Sequence, residues 1–387
     1  MTPRRSTILV AGMIAADQHQ GGAVWAVLQY VLGLRRLGHR VHLVEPIPAA
    51  KLQPAGTPLA ESINARFFRE VVVRFGLEDC ATAFVTGTDE AIGVPLARVR
   101  ETASAADALI NISGMLREPS LAEPPRVRVY LDLDPAFNQL WHAQGVDVGF
   151  DGPHTHFVTV GLGVGRGDCA VPTRGRRWIT TRQPIALEEW PAGASIDRDA
   201  FTTVGNWRGY GAITHDGRFY GQKAHSFRDI AGLPTRTRQR FELAMSIHPA
   251  ETADLQRLAG NGWTLLDPQL VAGTPDAYRA FVQGSKAEIA IAKQGYAAAR
   301  SGWFSDRSIC YLASGRPVVA QETGFSDFLP AGDGLLSFTN EDEALAGVEQ
   351  VAGDYDRHSR AARAIAEEWF DSNRVLPALL RRVEVSA

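Results

Sequence analysis

The sequence predicts an α/β protein with two Rossmann-like domains that follow each other along the chain. Three stretches lead to this prediction. Residues 6–45 have the order strand, glycine loop, helix, strand; residues 200–211 begin another strand that ends in glycine; residues 301–325 combine a helix, a glycine stop and a buried strand. Strands that alternate with helices in this way are typical of doubly wound parallel sheets.

The opening stretch predicts the start of the first domain. An apolar strand over Thr7–Ala11 leads to Gly21 and Gly22, and the following helix has one apolar stripe, formed by Val24, Val27, Leu28, Val31, Leu34 and Leu37. Glycines at such a loop allow backbone N–H groups to approach a phosphate or a sugar, although a glycine pair alone is more often only a turn. The pattern is not G-x-G-x-x-G, which disfavours a dinucleotide oxidoreductase.

Two carboxylates follow a later strand of the same domain. Residues 126–132 alternate between polar and apolar side chains, and Asp132 and Asp134 stand at the carboxyl end, where open α/β sheets place their ligands. A carboxylate there can deprotonate or orient a hydroxyl group. Asp134 precedes Pro135, so capping of the next helix is an equally good interpretation.

The second domain is predicted to restart near residue 200. Its first strand ends in glycine with Arg208 shortly after, and residues 287–293 form a strand that brings Lys293 to the same edge of the sheet. Prolines and scattered charges before residue 200 indicate the interdomain connection. We therefore predict a first domain over residues 1–185, a linker over 186–200, a second domain over 201–368 and a terminal helix over 369–387.

Residues 301–325 predict half of a nucleotide-diphosphate pocket. A helix N-terminus carries free N–H groups and a partial positive charge that attract phosphate, and a guanidinium holds phosphate oxygens bidentately. A capped helix before a strand occurs in every α/β protein, however, and an arginine in a first turn often only faces water. The residues concerned are Ser305 at the N-cap, Asp306, Arg307 and Ser308 in the first turn, and Glu322, Thr323 and Gly324 in the turn after the strand.

Residues 312–319, Leu-Ala-Ser-Gly-Arg-Pro-Val-Val, resemble an element of the group 1 glycosyltransferases with the GT-B fold, which include the glycogen-synthase-like group and the CgeB-like branch. The start of the chain has the order strand, Gly-Gly, helix, Gly-His, strand, which is similar to the opening of the same proteins. The glycogen-synthase-like group places two glutamates eight positions apart around this helix, where this sequence has Gly302 and Cys310. An arginine near the helix start is typical of the CgeB-like branch, and Arg307 fits it.

The resemblance implies two Rossmann-like domains that face each other across a cleft, with a C-terminal helix that crosses back to the N-terminal domain. It implies metal-independent transfer of a sugar from a nucleoside-diphosphate sugar to a small-molecule, lipid or glycan acceptor, with no further cofactor. The leaving diphosphate is expected to be held by Arg307, by the helix beginning near Ser305, and by Arg208 or Lys293, with Lys223 as a second member of the basic pair. The donor is expected to contact Glu322, Thr323 and Gly324. On the acceptor side, Asp134 is expected to act as the base, and Gly21 and Gly22 are expected to face the cleft.

Other functions stay open at the level of sequence. One is a nucleotide-sugar epimerase of the same double-Rossmann fold, and another is a catalytically silent binding subunit, because the glutamate pair is missing. Asp132-x-Asp134 also matches the metal motif of a single-domain glycosyltransferase fold, but the two-domain pattern argues against that mechanism.

Composition excludes several classes of protein. The 387 residues are 45% hydrophobic and 21% charged, as in a soluble globular protein with two full cores, and the net charge of −3 gives no support for a nucleic-acid partner. Cys80, Cys169 and Cys310 show neither zinc-ligand nor disulfide spacing, which favours a reducing cytosol and a cytoplasmic location. Residues 4–16 mimic a secretion signal but are interpreted as the lead-in and first strand, and no apolar run reaches the length of a membrane span.

Overall fold

The computed structural model describes residues 5–193 and 195–385, and two mainly parallel sheets organise it. Residues 1–4 of the predicted first domain, residue 194 of the predicted linker and residues 386–387 of the predicted terminal helix lie outside the described residues. The strands are β1 Thr7–Ala11, β2 Arg40–Ile47, β3 Ala81–Val85, β4 Ala91–Gly93, β5 Ala108–Ile112, β6 Val127–Asp132, β7 His156–Thr159, β8 Trp178–Thr180, β9 Arg198–Asn206, β10 Ile213–His215, β11 Arg218–Tyr220, β12 Phe241–Ser246, β13 Thr264–Leu266, β14 Ser285–Ala290, β15 Val318–Gln321 and β16 Leu335–Phe338.

The first sheet has the order β4-β3-β2-β1-β5-β6-β7-β8, and the second has the order β13-β12-β9-β14-β15-β16. Neighbouring strands are parallel except for β3 and β4, while β10 and β11 form a separate hairpin. The central strand β1 is buried from Ile8 to Ala11, as expected for an apolar run covered on both faces. Each sheet reverses its strand order beside its first strand, between β1 and β5 and between β9 and β14.

The helices cover the faces of both sheets. They are α1 Gly21–Arg36, α2 Ile63–Arg74, α3 Leu96–Ser104, α4 Pro119–Ala122, α5 Phe137–Ala143, α6 Lys223–Asp229, α7 Thr252–Gly260, α8 Pro268–Ala272, α9 Pro275–Gly284, α10 Gln294–Ala298, α11 Asp306–Ala313, α12 Glu341–Gly353, α13 Tyr355–Ile365 and α14 Ser372–Arg382. A wide π-type turn over Ala366–Phe370 joins α13 to α14. Aromatic side chains fill the core of the second domain, chiefly Phe201, Trp207, Phe227 and Trp263.

The end of the chain returns to the first domain. The backbone N–H of Ile185 donates to Phe370 at 2.8 Å, and that of Ser372 donates to Ile185 at 2.9 Å, so the outgoing and returning segments run side by side. Helix α14 then packs on α1, where a Cβ on Gly33 would lie 2.6 Å from Leu376 Cδ1. These features confirm the predicted fold class, including the terminal helix that crosses back.

The structure refines several elements. Strand β9 begins at Arg198, inside the segment predicted as linker, and β14 ends at Ala290, so Lys293 lies in the loop beyond the strand. In the described part of the chain, no helix is both long and apolar enough to cross a membrane.

Candidate active site in the cleft between the domains

A cavity of about 580 Å³ lies where the carboxyl ends of the two sheets face each other. Its size is within the range of small-molecule sites. The first domain contributes residues 18–23 and Asp134, and the second contributes residues 204–206, Lys223, Lys293 and residues 305–307. Residues 18–23 follow β1, Asp134 follows β6, residues 204–206 are the end of β9, and Lys293 follows β14, so much of the cavity wall comes from the carboxyl ends of the strands, where open α/β proteins bind ligands.

A buried glutamate that the sequence analysis missed shapes the first-domain wall. Glu45 on β2 accepts hydrogen bonds from the backbone N–H groups of Ile14, Ala15 and Ala16 at 2.7–3.0 Å, which anchors the loop that leads to the cavity. Burial raises the pKa of Glu45 to about 7, and those three N–H groups oppose the rise. The available signal was a single acidic residue inside the apolar strand β2.

Gly21 and Gly22 do line the cavity, and the structure also gives them a packing role. A Cβ on Gly21 would lie 2.6 Å from the carbonyl oxygen of Ala272, and one on Gly22 would lie 2.9 Å from the Tyr278 ring. Trp25, one turn further along α1, donates its indole N–H to the Pro275 carbonyl at 2.8 Å. The glycines therefore allow the start of α1 to approach the backbone of the second domain.

Arg307 lies at the cavity, but its charge is largely compensated. It is buried in an ion pair with Glu288, a fully buried residue of β14, and its Nη1 donates to the Val204 carbonyl at 2.9 Å. Its Nη2 has no hydrogen-bond partner within the residues that the structure describes. The guanidinium is thus fixed by the protein, with one nitrogen left over.

Lys223 is a second buried cation at the cavity. It is the first residue of α6, it is 8% exposed, and it lines the cavity beside Gly205. Across residues 5–193 and 195–385, no carboxylate forms an ion pair with it. Burial lowers the pKa of the Lys223 ammonium well below its usual value, and the nearby Arg307 lowers it further. Such a group needs an anion beside it to hold its proton at low cost.

Lys293 and Asp134 join the two domains at the cavity. The Asp134 carboxylate accepts hydrogen bonds from Tyr210 at 2.6 Å and from Lys293 at 2.8 Å through one oxygen, and from Tyr296 through the other. The Lys293 ammonium also lies 4.3 Å from the centre of the Tyr210 ring. Helix α5 has Ala136 at its N-cap position and no side-chain cap, so Asp134 does not cap it.

The start of α11 opens into the cavity. Ser305 has the extended backbone of an N-cap, but its hydroxyl makes no capping bond. Within the described part of the chain, the backbone N–H groups of Asp306, Arg307 and Ser308 have no hydrogen-bond acceptor. This end of the helix therefore offers free donors and the positive end of the helix dipole.

Five of the predicted site residues do not line the cavity. Arg208 pairs with Glu251 at 2.5 Å, and Ser308 is buried behind the helix start. Thr323 donates to the Trp303 carbonyl, and its own carbonyl accepts from the Gly302 N–H at 2.8 Å, so residues 322–324 brace the loop before α11 from outside. The five are Arg208, Ser308, Glu322, Thr323 and Gly324.

The chain was compared with known proteins. No family model and no curated protein matches the sequence. An alpha-glucosyltransferase in complex with UDP-glucose and DNA containing an abasic site superposes with a TM-score of 0.62 and 11% identity, over 98% of this chain and 99% of that one. Anabaena HepE in complex with UDP superposes with a TM-score of 0.55 and 12% identity, over the same shares of the two chains. The chain has the GT-B fold.

Two expectations about ligands stay predictions, namely that the transfer needs no metal ion and that nucleic acid is not a partner. No group of three or more His, Cys, Asp and Glu side chains that could hold a metal ion occurs among the residues described. The alpha-glucosyltransferase structure contains DNA, while nothing in this chain tests the expectation that nucleic acid is not a partner.

Proposed function

We propose that this protein transfers a sugar from a nucleoside-diphosphate sugar to an acceptor hydroxyl. The observation that carries the proposal is Lys223, a buried ammonium without an anionic partner in the described chain, at a cleft cavity into which α11 also opens its N-terminus. A diphosphate supplies the negative charge that both features lack. The GT-B fold of two structures solved with UDP or UDP-glucose supports the same class of ligand.

In the proposed reaction, the bond between the anomeric carbon and the diphosphate oxygen breaks, and a bond from that carbon to the acceptor oxygen forms. Lys223, Lys293 and the free N–H groups of α11 stabilise the charge that develops on the diphosphate, without a metal ion. Arg307, held by Glu288, keeps this helix start in place. Asp134 is the candidate that takes the acceptor proton, and its bond to Lys293 also positions that ammonium.

A panel of nucleotide sugars, beginning with UDP-glucose, tests the proposal through the release of nucleoside diphosphate with and without acceptors. Acceptor-dependent release is expected. Turnover of the sugar nucleotide without an acceptor indicates an epimerase, and a folded protein that binds no nucleotide indicates a silent subunit. Either of these outcomes contradicts the proposal.

The variant Lys223→Met should weaken nucleoside-diphosphate binding by about 1.5–3 kcal/mol, because a charged hydrogen bond is lost. Lys286→Met is the matched control, because Lys286 pairs with Asp199 and does not line the cavity. Equal affinities in the two variants would remove Lys223 from the site. Isothermal titration calorimetry measures both.

A further inference from the structure

Asp132 is a fully buried carboxylate next to the cavity wall. Leu133 and Asp134, the next two residues, line the cavity, whereas Asp132 does not. Its two oxygens accept four hydrogen bonds within the first domain, all from uncharged donors. These donors are the Asp134 backbone N–H at 3.0 Å, the Asn138 amide at 2.7 Å, the Gln139 amide at 2.7 Å and the Thr159 hydroxyl at 2.8 Å. Asp132 is therefore satisfied inside the protein rather than by a ligand.

The same hydrogen bonds hold both ends of the turn that joins β6 to α5. Asp134 lies at the start of this turn, and Asn138 and Gln139 lie in the first turn of α5, so one carboxylate fixes the two ends relative to each other. Thr159 is the partner of Asp132 on the neighbouring strand β7. Asp132 therefore ties the turn to itself and to the sheet.

The turn is strained at Ala136. Its φ of 76° and ψ of −56° are close to those of a γ-turn, a rare and strained backbone conformation. Ala136 is fully buried, and Pro135 before it packs against Gly161, where a Cβ would lie 2.7 Å from the Pro135 Cβ. A strained backbone persists only where the surrounding structure fixes it, and such positions cluster at functional sites. The hydrogen bonds to Asp132 on either side of Ala136 supply this restraint.

The restraint determines where Asp134 lies. The Asp134 carboxylate accepts hydrogen bonds from Lys293, Tyr210 and Tyr296 of the second domain, and all three depend on the position of its backbone. Misplacement of a reacting group by about 1 Å can lower a rate by about 10²-fold. A turn that relaxes at Ala136 moves Asp134 away from Lys293, and both the proton transfer and the place of the ammonium suffer.

We infer that Asp132 is a positioning residue, which holds the strained turn that places Asp134 at the cavity and beside Lys293. The inference rests on the proposed function, in which Asp134 takes the acceptor proton and positions Lys293. It gives the first carboxylate of the Asp132-x-Asp134 motif a task that differs from the task of the second.

A double-mutant cycle of the wild type, Asp132→Asn, Asp134→Asn and the double variant tests the inference. Calorimetry measures the Kd of UDP, ADP and GDP, and a coupled assay measures kcat with a nucleotide sugar and acceptor that the wild type turns over. With Asp134 present, Asp132→Asn should raise the Kd of the bound diphosphate by about three- to tenfold and lower kcat by about 10–100-fold, because an amide nitrogen then faces other donors and the turn relaxes. In the Asp134→Asn background, the same change should alter either quantity by no more than about twofold, since Asp132 acts through Asp134.

Gln139→Met is a milder change at the same contact. It removes the hydrogen bond from Gln139 to Asp132, and the Gln139 Oε1 has no hydrogen-bond partner within the residues that the structure describes, so the variant should fold. Its effect should be smaller than that of Asp132→Asn and should also vanish in the Asp134→Asn background. If Asp132→Asn does not fold, this variant decides the test in its place.

The matched control is Asp107→Asn. Asp107 is also a carboxylate of the first domain that accepts from a backbone N–H, that of Thr7 at 2.9 Å, but it lies at the amino ends of the strands and does not line the cavity. Its replacement should change neither the Kd nor kcat.

Equal effects of Asp132→Asn in both backgrounds overturn the inference, because a general loss of structure does not depend on the side chain at position 134. Wild-type Kd and kcat in Asp132→Asn overturn it as well. A Kd effect that vanishes in the Asp134→Asn background supports the positioning role even if the wild type shows no acceptor-dependent turnover, and that result refutes the proposed function instead. Absence of binding by all three diphosphates refutes the proposed function and the inference together.

Discussion

At the scale of single residues, the site is organised by how its charges are compensated. Arg307 forms an ion pair with Glu288, and Lys293 forms one with Asp134, while Lys223 forms no ion pair among the described side chains. The sequence analysis gave more weight to Arg208 and Arg307, since arginine suits phosphate. It could not show that Glu251 and Glu288 pair with them, because those contacts join residues 43 and 19 positions apart.

The buried ammonium should cost stability. The folded-state pKa of Lys223 is lowered, so between that value and 10.5 the unfolded chain binds a proton that the folded chain lacks, and stability rises with pH over this interval. We expect Lys223→Met to raise the free energy of unfolding at pH 7 by about 1–3 kcal/mol, because an unpaired polar group leaves the interior. Its stability should also lose this part of the pH dependence.

Chemical denaturation of both proteins between pH 6 and pH 10 measures the effect. Lys286→Met, which breaks a partly exposed ion pair, should not produce a gain. A Lys223→Met variant less stable than the wild type at pH 7 would contradict the prediction.

At the scale of elements, the loop after β1 depends on Glu45. Its folded-state pKa is raised, from an ordinary 4.5 to about 7, so the folded state binds more protons between these values and loses stability as the pH rises through them. This loss amounts to about 3 kcal/mol, from 1.36 kcal/mol per pKa unit. The variant Glu45→Gln should have a flatter stability profile from pH 5 to pH 8, although its amide lowers the absolute stability. Parallel profiles would contradict this assignment.

The start of α1 provides a second test at this scale. Gly21→Ala places a methyl group against the carbonyl oxygen of Ala272, so we expect a loss of about 1–3 kcal/mol in the free energy of unfolding and weaker diphosphate binding. Gly260→Ala at the end of α7, where a Cβ meets nothing within 4 Å, should be neutral or slightly stabilising. Thermal denaturation and calorimetry compare the two. An equally stable Gly21→Ala protein would show that the helix start is not confined there.

Periodicity and turn residues were sufficient to predict most of the long elements. The apolar stripe predicted α1, and the sequence around Gly315 predicted both α11 and β15. The elements that were missed are short, such as β4 with three residues and the two strands of the β10–β11 hairpin. Their existence depends on strand pairing with distant segments, which local propensity does not encode.

At the scale of the whole molecule, the two domains contact each other on several sides of the cavity. Besides the cluster around Asp134, Trp25 binds Pro275, Arg74 pairs with Asp276, and Gln183 donates to Phe304 at 3.0 Å. Sequence reasoning predicted a fold with two Rossmann-like domains but could not predict these contacts, because each joins residues more than 100 positions apart. The width of the cleft is therefore set by tertiary contacts that only the structure shows.

Asp134 contributes both to the contact between the two domains and to the proposed chemistry. It is hydrogen-bonded to Lys293, Tyr210 and Tyr296 of the other domain, so Asp134→Asn should lower the free energy of unfolding by about 1–2 kcal/mol. This loss is smaller than for a fully buried ion pair, because the side chains of Asp134 and Lys293 are each about a fifth exposed. If Asp134 holds Lys293 at the cavity, diphosphate binding should weaken, and Tyr296→Phe should reproduce part of both effects, since it removes one of the same bonds.

A role as the acceptor-side base makes a different prediction for the same variant. The rate constant kcat then falls by about 10²–10⁴-fold, in addition to any change in the melting temperature or in the Kd of the diphosphate, because the proton transfer is lost as well. Calorimetry, thermal denaturation and the pH profile of kcat/KM on one preparation separate the two roles. Loss of the acidic limb of that profile in Asp134→Asn identifies the base, whereas a parallel profile with weakened binding identifies the link between the domains. An Asp134→Asn protein with wild-type stability, affinity and rate would contradict both.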